Sequence, residues 1–208
     1  MTAIPVLAVA PSLAALRRPN ALRFDAFRNG DRIGEQTMTF EPVSGALTVR
    51  TVADFAVKLG PITAYRYHHE ATERWRAEEF ASIETRTNQN GRSTTVAAVR
   101  GNDQVAISTA GRVTRAPVSA LPFTHWNSKI ASASLFNPQD GKLLREQVSR
   151  GGRAPVRVAS GAPILASRVV FRGDAYVEDY YNTDDVWVGL VGRLADGSAM
   201  EYRLASPL

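Results

Sequence analysis

The chain has 208 residues, 44% hydrophobic and 22% charged, which suits a folded chain that buries a sizeable core and excludes global disorder. It has no cysteine, so a disulfide framework, a thiolate zinc site and a cysteine nucleophile are excluded. The formal charge of +5 arises from 25 Lys plus Arg against 20 Asp plus Glu; most arginines alternate with apolar residues and no stacked aromatics accompany the basic run, so no nucleic-acid partner is expected.

The first segment, Thr2 to Leu16, is Ala-rich and apolar, contains the small-x-small site Ser12-Leu13-Ala14, and is followed by the polar Arg17-Arg18-Pro19-Asn20. This is the pattern of the hydrophobic and cleavage regions of an export signal, without its basic start. Residues 1–19 are therefore read as an apolar tail, a signal-segment remnant, and 20–208 as a single antiparallel β domain. Pro5 and Pro11 break the run, which is too short for a transmembrane helix, and no other segment qualifies.

Hairpins follow. Leu22–Phe27 leads through Asn29-Gly30-Asp31, a strong turn signal, into Ile33–Phe40. Leu47–Leu59 alternates most cleanly, and Gly60-Pro61 closes it. The next run, Thr63 to Trp75, carries the chemistry: as a strand, it places Thr63, Tyr65, Tyr67, His69, Ala71, Glu73 and Trp75 on one face and Arg66, His68, Glu70 and Arg74 on the other. A turn at Ala77 to Glu79 precedes Phe80–Thr87, Asn88 to Gly91 precedes Thr94–Val99, and Gly101-Asn102-Asp103 precedes Val105–Thr109. Turn signals between alternating runs predict an antiparallel meander.

Alternation stops between Pro117 and Phe136. Asn127-Ser128 before Lys129–Leu135 predicts a short helix with a polar cap, an insertion lying across one end of the sheet. Strands resume at Leu143–Val148, Arg153–Val158, Ile164–Arg172, Trp187–Leu194 and, after the Asp196-Gly197 turn, Met200–Leu204. The acidic stretch Asp174 to Asp185 lacks the order of a calcium loop and reads as a solvated turn.

Phe24-x-Ala26-x-x-Asn29-Gly30-x-x-Ile33-Gly34, Tyr67-x-His69-x-x-x-Glu73-x-Trp75, Thr87-Asn88-x-Asn90-Gly91, His125-Trp126-Asn127 and Asp196-Gly197-x-x-x-x-Tyr202-x-Leu204 occur in order. Together they resemble a bacterial family of exported, periplasmic or secreted domains of unknown function, over residues 22–204. The resemblance implies export and supplies no activity. The chain carries Tyr180-Tyr181-Asn182 where that family has a Trp-Tyr-Asp-like element. More loosely, it is similar to envelope proteins built on one curved or spiral antiparallel sheet and to half-open barrels that carry lipoproteins.

The expected fold is all-β: a long antiparallel meander forming a curved sheet or open barrel, with one short helical insertion near Trp126–Phe136. Candidate ligand-binding residues are Tyr65, Tyr67, His69, Glu73, Trp75, His125, Trp126 and Asn127, an aromatic floor with polar groups set into it. Packed core is the alternative for the same aromatics. His69 and Glu73 lie about 13 Å apart along a straight strand, so a two-His-one-carboxylate metal site with His125 would need added geometry, and no metal or cofactor is expected. No Gly-x-Ser-x-Gly elbow, phosphate loop or dinucleotide fingerprint is present. The leading reading is an exported, non-enzymatic binding or envelope scaffold protein, holding a hydrophobic or amphiphilic molecule or an envelope partner. The alternative is a lipocalin-like barrel enzyme, an isomerase, cyclase or lyase using His69 or His125 with Glu73 as acid–base groups.

A gene product bearing a basic start ahead of Thr2 is expected outside the cytoplasm, processed near Ala14 or Ala15. Fractionation and N-terminal sequencing in the native host check this; uncleaved protein confined to the cytoplasm contradicts it.

Overall fold

The computed structural model describes residues 19–59 and 62–205; the apolar N-terminal run through residue 18 and the Gly60-Pro61 turn lie outside the described residues. The first eight strands form a meander: β1 (Ala21–Arg28), β2 (Asp31–Val43), β3 (Ala46–Leu59), β4 (Ile62–Arg76), β5 (Glu79–Gln89), β6 (Arg92–Arg100), β7 (Gln104–Thr109) and β8 (Arg112–Pro117). Five of its connections are two-residue loops with positive φ at both positions: Asn29-Gly30, Ser44-Gly45, Ala77-Glu78, Asn90-Gly91 and Ala110-Gly111. Paired positive φ matches the right-handed twist of the flanking strands. Ala77-Glu78 adopts it without glycine.

The last strands are β12 (Glu146–Val156), β13 (Ile164–Gly173), β14 (Tyr176–Tyr181), β15 (Trp187–Arg193) and β16 (Ala199–Leu204). β16 pairs antiparallel with β1, Phe24 opposite Leu204, so the two meanders fuse into one sheet of order β12-β13-β14-β15-β16-β1-β2-β3-β4-β5-β6-β7-β8. All of its pairings are antiparallel. The sheet is curved but not closed; β8 and β12 are its outer strands. Gly34 is required where β2 approaches β3: a Cβ there would stand 1.9 Å from the Asp54 carbonyl oxygen. Among the described residues no helix is long and apolar enough to cross a membrane.

Residues 118–145 link the meanders and cross the concave side. They carry β9 (Leu121–Pro122), a 3-10 helix (Ser128–Ser132), β10 (Leu135–Phe136) and β11 (Leu143–Leu144), with the three short strands in a small sheet of their own. Trp126 packs edge-on against Phe40 of β2 and Trp75 of β4, Phe136 against Phe80 of β5, and Phe123 against Phe171 of β13. The segment thus touches both halves of the sheet, and its aromatic rings join one large core.

The short helical insertion expected over Lys129–Leu135 is present as a single 3-10 turn, Ser128–Ser132, capped by Asn127, whose side chain accepts from the Lys129 N–H at 3.1 Å. Two sequence expectations are corrected. The strands expected at Leu143–Val148 and Arg153–Val158 are mostly one strand, β12, with a register shift between Arg150 and Arg153 where Gly151-Gly152 sits. The acidic stretch from Asp174 is not one solvated turn; it contains β14, in which Asp179, Tyr180 and Tyr181 are buried.

On β4 the expected facing holds from His69 to Trp75: His69, Ala71, Glu73 and Trp75 are buried and Glu70, Arg74 and Arg76 exposed. Trp75 is 3% exposed, so Trp75→Ala is expected to destabilise by about 3–5 kcal/mol in denaturant titration. Arg74→Ala, which loses an exposed pair with Glu84, should cost less than about 1 kcal/mol. Equal losses would contradict this facing.

Candidate functional site

The inward face of β4 runs through two environments. At one end Glu73 is fully buried. Its two oxygens accept indole N–H groups, from Trp75 at 3.0 Å and from Trp126 at 2.9 Å. Burial pushes the Glu73 carboxyl up to about 7, and the hydrogen bonds from Trp126 and Trp75 oppose the rise. Glu73 has no exposed surface, and both indoles are buried with it in the core.

A second buried carboxylate mirrors this one on β14. Asp179, also fully buried, accepts from Trp187 Nε1 at 3.0 Å and faces His125 Nδ1 at 2.9 Å. Burial raises its pKa, against the opposing charge of His125. His125 has φ +67°, a left-handed conformation uncommon for a side chain of this size. Its backbone oxygen accepts the Tyr181 hydroxyl at 2.6 Å, and its ring lies between Phe123 and Trp187, stacked on the latter at 5.6 Å.

At the other end of β4 is a cavity of about 760 Å3, within the size range of small-molecule sites. Ile33, Phe55, Val57, Leu144, Leu190 and Met200 give it apolar walls. Tyr65, Tyr67, Tyr202 and His125 set polar atoms into them, and exposed Asp174, Arg193 and Asp196 stand at the mouth. Tyr67 stacks on Phe55 with ring centroids 5.2 Å apart. Burial pushes the Tyr67 and Tyr202 phenols well above the ordinary value and Tyr65 upward, the last opposed by Gln89. Among the described residues, the Tyr67 and Tyr202 hydroxyls hydrogen-bond to no protein group.

The eight candidate residues therefore separate. Tyr65, Tyr67 and His125 line the cavity. His69 is buried one position further along the face, bonded through Nδ1 to Thr87 Oγ1 at 2.8 Å and stacked on Tyr67. Burial lowers its pKa to about 4, with His68 adding to the shift. Glu73, Trp75 and Trp126 form the sealed cluster, and Asn127 caps the 3-10 helix. His69, Glu73 and His125 do not converge: each has a different partner. The acid–base pairing of Glu73 with either histidine is thus corrected, because the carboxylate that meets His125 is Asp179.

Two residues of the candidate site escaped the sequence reading. Asp179 was hidden in an acidic run, on a strand whose burial does not alternate. Tyr202 belonged to a recognised strand but reaches the cavity through the β16–β1 pairing, which short-range pattern does not encode.

Residues 24–205 match the family described as Domain of unknown function (DUF6134). Among solved structures, the chain is similar to a crystal structure titled as a beta-barrel-like protein of domain of unknown function DUF1849 from Brucella abortus. Identity is 9% and the TM-score 0.64, covering 89% of this chain and 95% of that one, a likeness of fold alone. Comparison with curated proteins gave no match.

The buried groups fix a pH signature. Glu73, raised from 4.5 to about 7, binds more protons folded than unfolded in that window, so its contribution is fully present below pH 4.5 and lost as pH rises through about 7. His69, lowered from 6.5 to about 4, has the opposite sign: its contribution is present above pH 6.5 and lost as pH falls through about 4. Glu73→Gln is expected to remove the first slope, so its unfolding free energy relative to wild type rises by on the order of 3 kcal/mol between pH 4.5 and 7. Denaturant titrations across that range check it; a constant difference would contradict a raised Glu73. The constant offset reports the indole N–H left facing an amide N–H.

Proposed function

The chain belongs to the DUF6134 domain family of unknown function, and from that premise we propose that it is an exported, non-catalytic binding protein. It holds a hydrophobic or amphiphilic small molecule in the cavity at the Tyr65–Tyr67 end of β4. The observation that carries this reading is the cavity lining: apolar walls from β2, β3, β15 and β16 with the Tyr67 and Tyr202 hydroxyls, which no protein group among the described residues uses. A pocket that is mostly apolar with a few fixed polar groups suits a ligand that buries its body and orients through one end. A scaffold in the envelope needs no such interior. The enzymatic alternative with Glu73 as acid–base partner is disfavoured, since both Glu73 oxygens are engaged by indoles and no exposed surface remains on the residue. Export rests on the Thr2–Leu16 pattern and periplasmic or secreted residence on the resemblance to a bacterial family of exported domains.

The neutral fluorophore N-phenyl-1-naphthylamine tests the cavity. Wild-type protein is expected to bind it saturably with enhanced emission. Val57→Trp, which places an indole on the half-buried cavity wall, should weaken binding roughly tenfold or more, equivalent to about 1.4 kcal/mol. Leu165→Trp, at a 51% exposed position outside the cavity, should leave it unchanged. Absence of saturable binding, or equal loss in both variants, overturns the reading.

A further inference from the structure

The cavity lining contains one imidazole held by a buried carboxylate. Resting on the reading of that cavity as a ligand site, we propose that His125, positioned by Asp179, receives an acidic oxygen head group, carboxylate or phosphate, on the molecule whose apolar part fills the cavity.

His125 Nδ1 is committed to Asp179 Oδ2, and Asp179 Oδ1 to the Trp187 indole. Asp179 has no exposed surface, so a net negative charge on the pair would stand in a low-dielectric site without compensation, a costly state. The pair is favoured with net charge zero. If Asp179 is ionised, the imidazole is protonated on both nitrogens. If Asp179 holds the proton, it donates to Nδ1 and the hydrogen of the neutral ring sits on Nε2. In either arrangement Nε2 is an N–H donor.

Among the described residues Nε2 has no protein partner and is not one of the sealed, unsatisfied atoms, and the His125 ring is part of the cavity lining. The side chain is 18% exposed and flanked by Phe123 and Trp187, where a charge-assisted hydrogen bond to an anion is stronger than in water. The other charged groups of the cavity are already engaged or stand at its mouth. Arg28 bonds Asp196 and Ser198, Asp174 accepts from the Arg145 backbone, and Arg193 is exposed. Tyr65, Tyr67 and Tyr202 are neutral phenols that add donors to a head group but no charge. Behind the ring, Tyr181 is occupied by the His125 carbonyl. His125 is therefore the group in the interior wall that offers an anionic head group an imidazole N–H donor.

His125→Asn isolates the outer nitrogen. The asparagine amide stands where Nδ1 does and keeps a donor for Asp179, asparagine tolerates positive φ, and the outer ring atoms are lost, with their reach into the cavity and their contact with Phe123 and Trp187. Displacement of N-phenyl-1-naphthylamine by dodecanoate, dodecyl phosphate and dodecanol gives the readout. Wild type is expected to bind at least one of the two acids roughly tenfold or more tightly than the alcohol; the tighter acid identifies the head group. In His125→Asn the acid affinity should fall to that of the alcohol, whose own Kd is unchanged. Because the chain has 3 histidines, nitrogen NMR of wild type gives an independent test: the His125 Nε2 signal should shift on acid binding while His68 and His69 stay in place. Equal binding of acid and alcohol in wild type, parallel loss of both in the variant, or an unmoved His125 signal overturns the proposal while leaving the cavity reading intact. If neither the fluorophore nor any dodecyl probe binds, both fall.

Discussion

The structure depends on how two carboxylates can be buried. Glu73 on β4 and Asp179 on β14 have no exposed surface, and a carboxylate out of water must find donors close at hand. All 3 tryptophans of the chain supply them: Trp75 and Trp126 to Glu73, Trp187 to Asp179. His125 completes the second pair. Because His125 and Trp126 are consecutive, two adjacent side chains are tied to opposite halves of the sheet. β14 and β4 are separated in the sheet by β15, β16, β1, β2 and β3, so the dipeptide is a strut across the concave side. The left-handed backbone at His125 is what turns the chain between its two anchors. Such pairs need not add net stability over an apolar core; they select one position for the interior segment.

That position divides the interior. Where residues 123–136 fill the curve, aromatic rings pack against both walls and Glu73 is sealed. Beyond the strut, β3 and β4 run on toward Leu59 and Ile62, and their inward residues Phe55, Val57, Tyr65 and Tyr67 face the cavity instead. One strand therefore serves as core wall and cavity wall, with His69 at the boundary, bonded across to Thr87. Being an open sheet matters here, since an interior filled along its full length would leave no space for a ligand.

Most of the meander was legible because its strands are half-buried and alternate: β3 and β4 could be read with their facing, and Asn29-Gly30 and Asn90-Gly91 carry the residues that paired positive φ demands. β8 was missed because its burial does not alternate; Arg112 to Arg115 are all exposed. β14 was missed for the opposite reason: its last three residues, Asp179 to Tyr181, are all buried, and a buried aspartate in a charged run has no local signature. The candidate site was half legible. Tyr65, Tyr67 and His125 could be picked by residue type and face, but which of them meets open space is set by where the interior segment lies. That in turn depends on the Trp126–Glu73 and His125–Asp179 contacts, made between residues 53 and 54 positions apart.

The seam between β1 and β16 has a consequence for synthesis. The sheet's outer edges belong to mid-chain strands, while the first and last strands meet at its centre, with Ala205 N–H donating to the Arg23 carbonyl. As the chain emerges from N- to C-terminus, β1 has a partner on one side only, and Phe24, which packs on Trp187, lacks that cover until β15 and β16 arrive. The central joint of the molecule forms last. Until it does, the unfinished edge is an unpaired hydrogen-bonding template, and the long sequence separation of its contacts slows closure. The C-terminal strand acts as the latch that converts two incomplete meanders into one sheet.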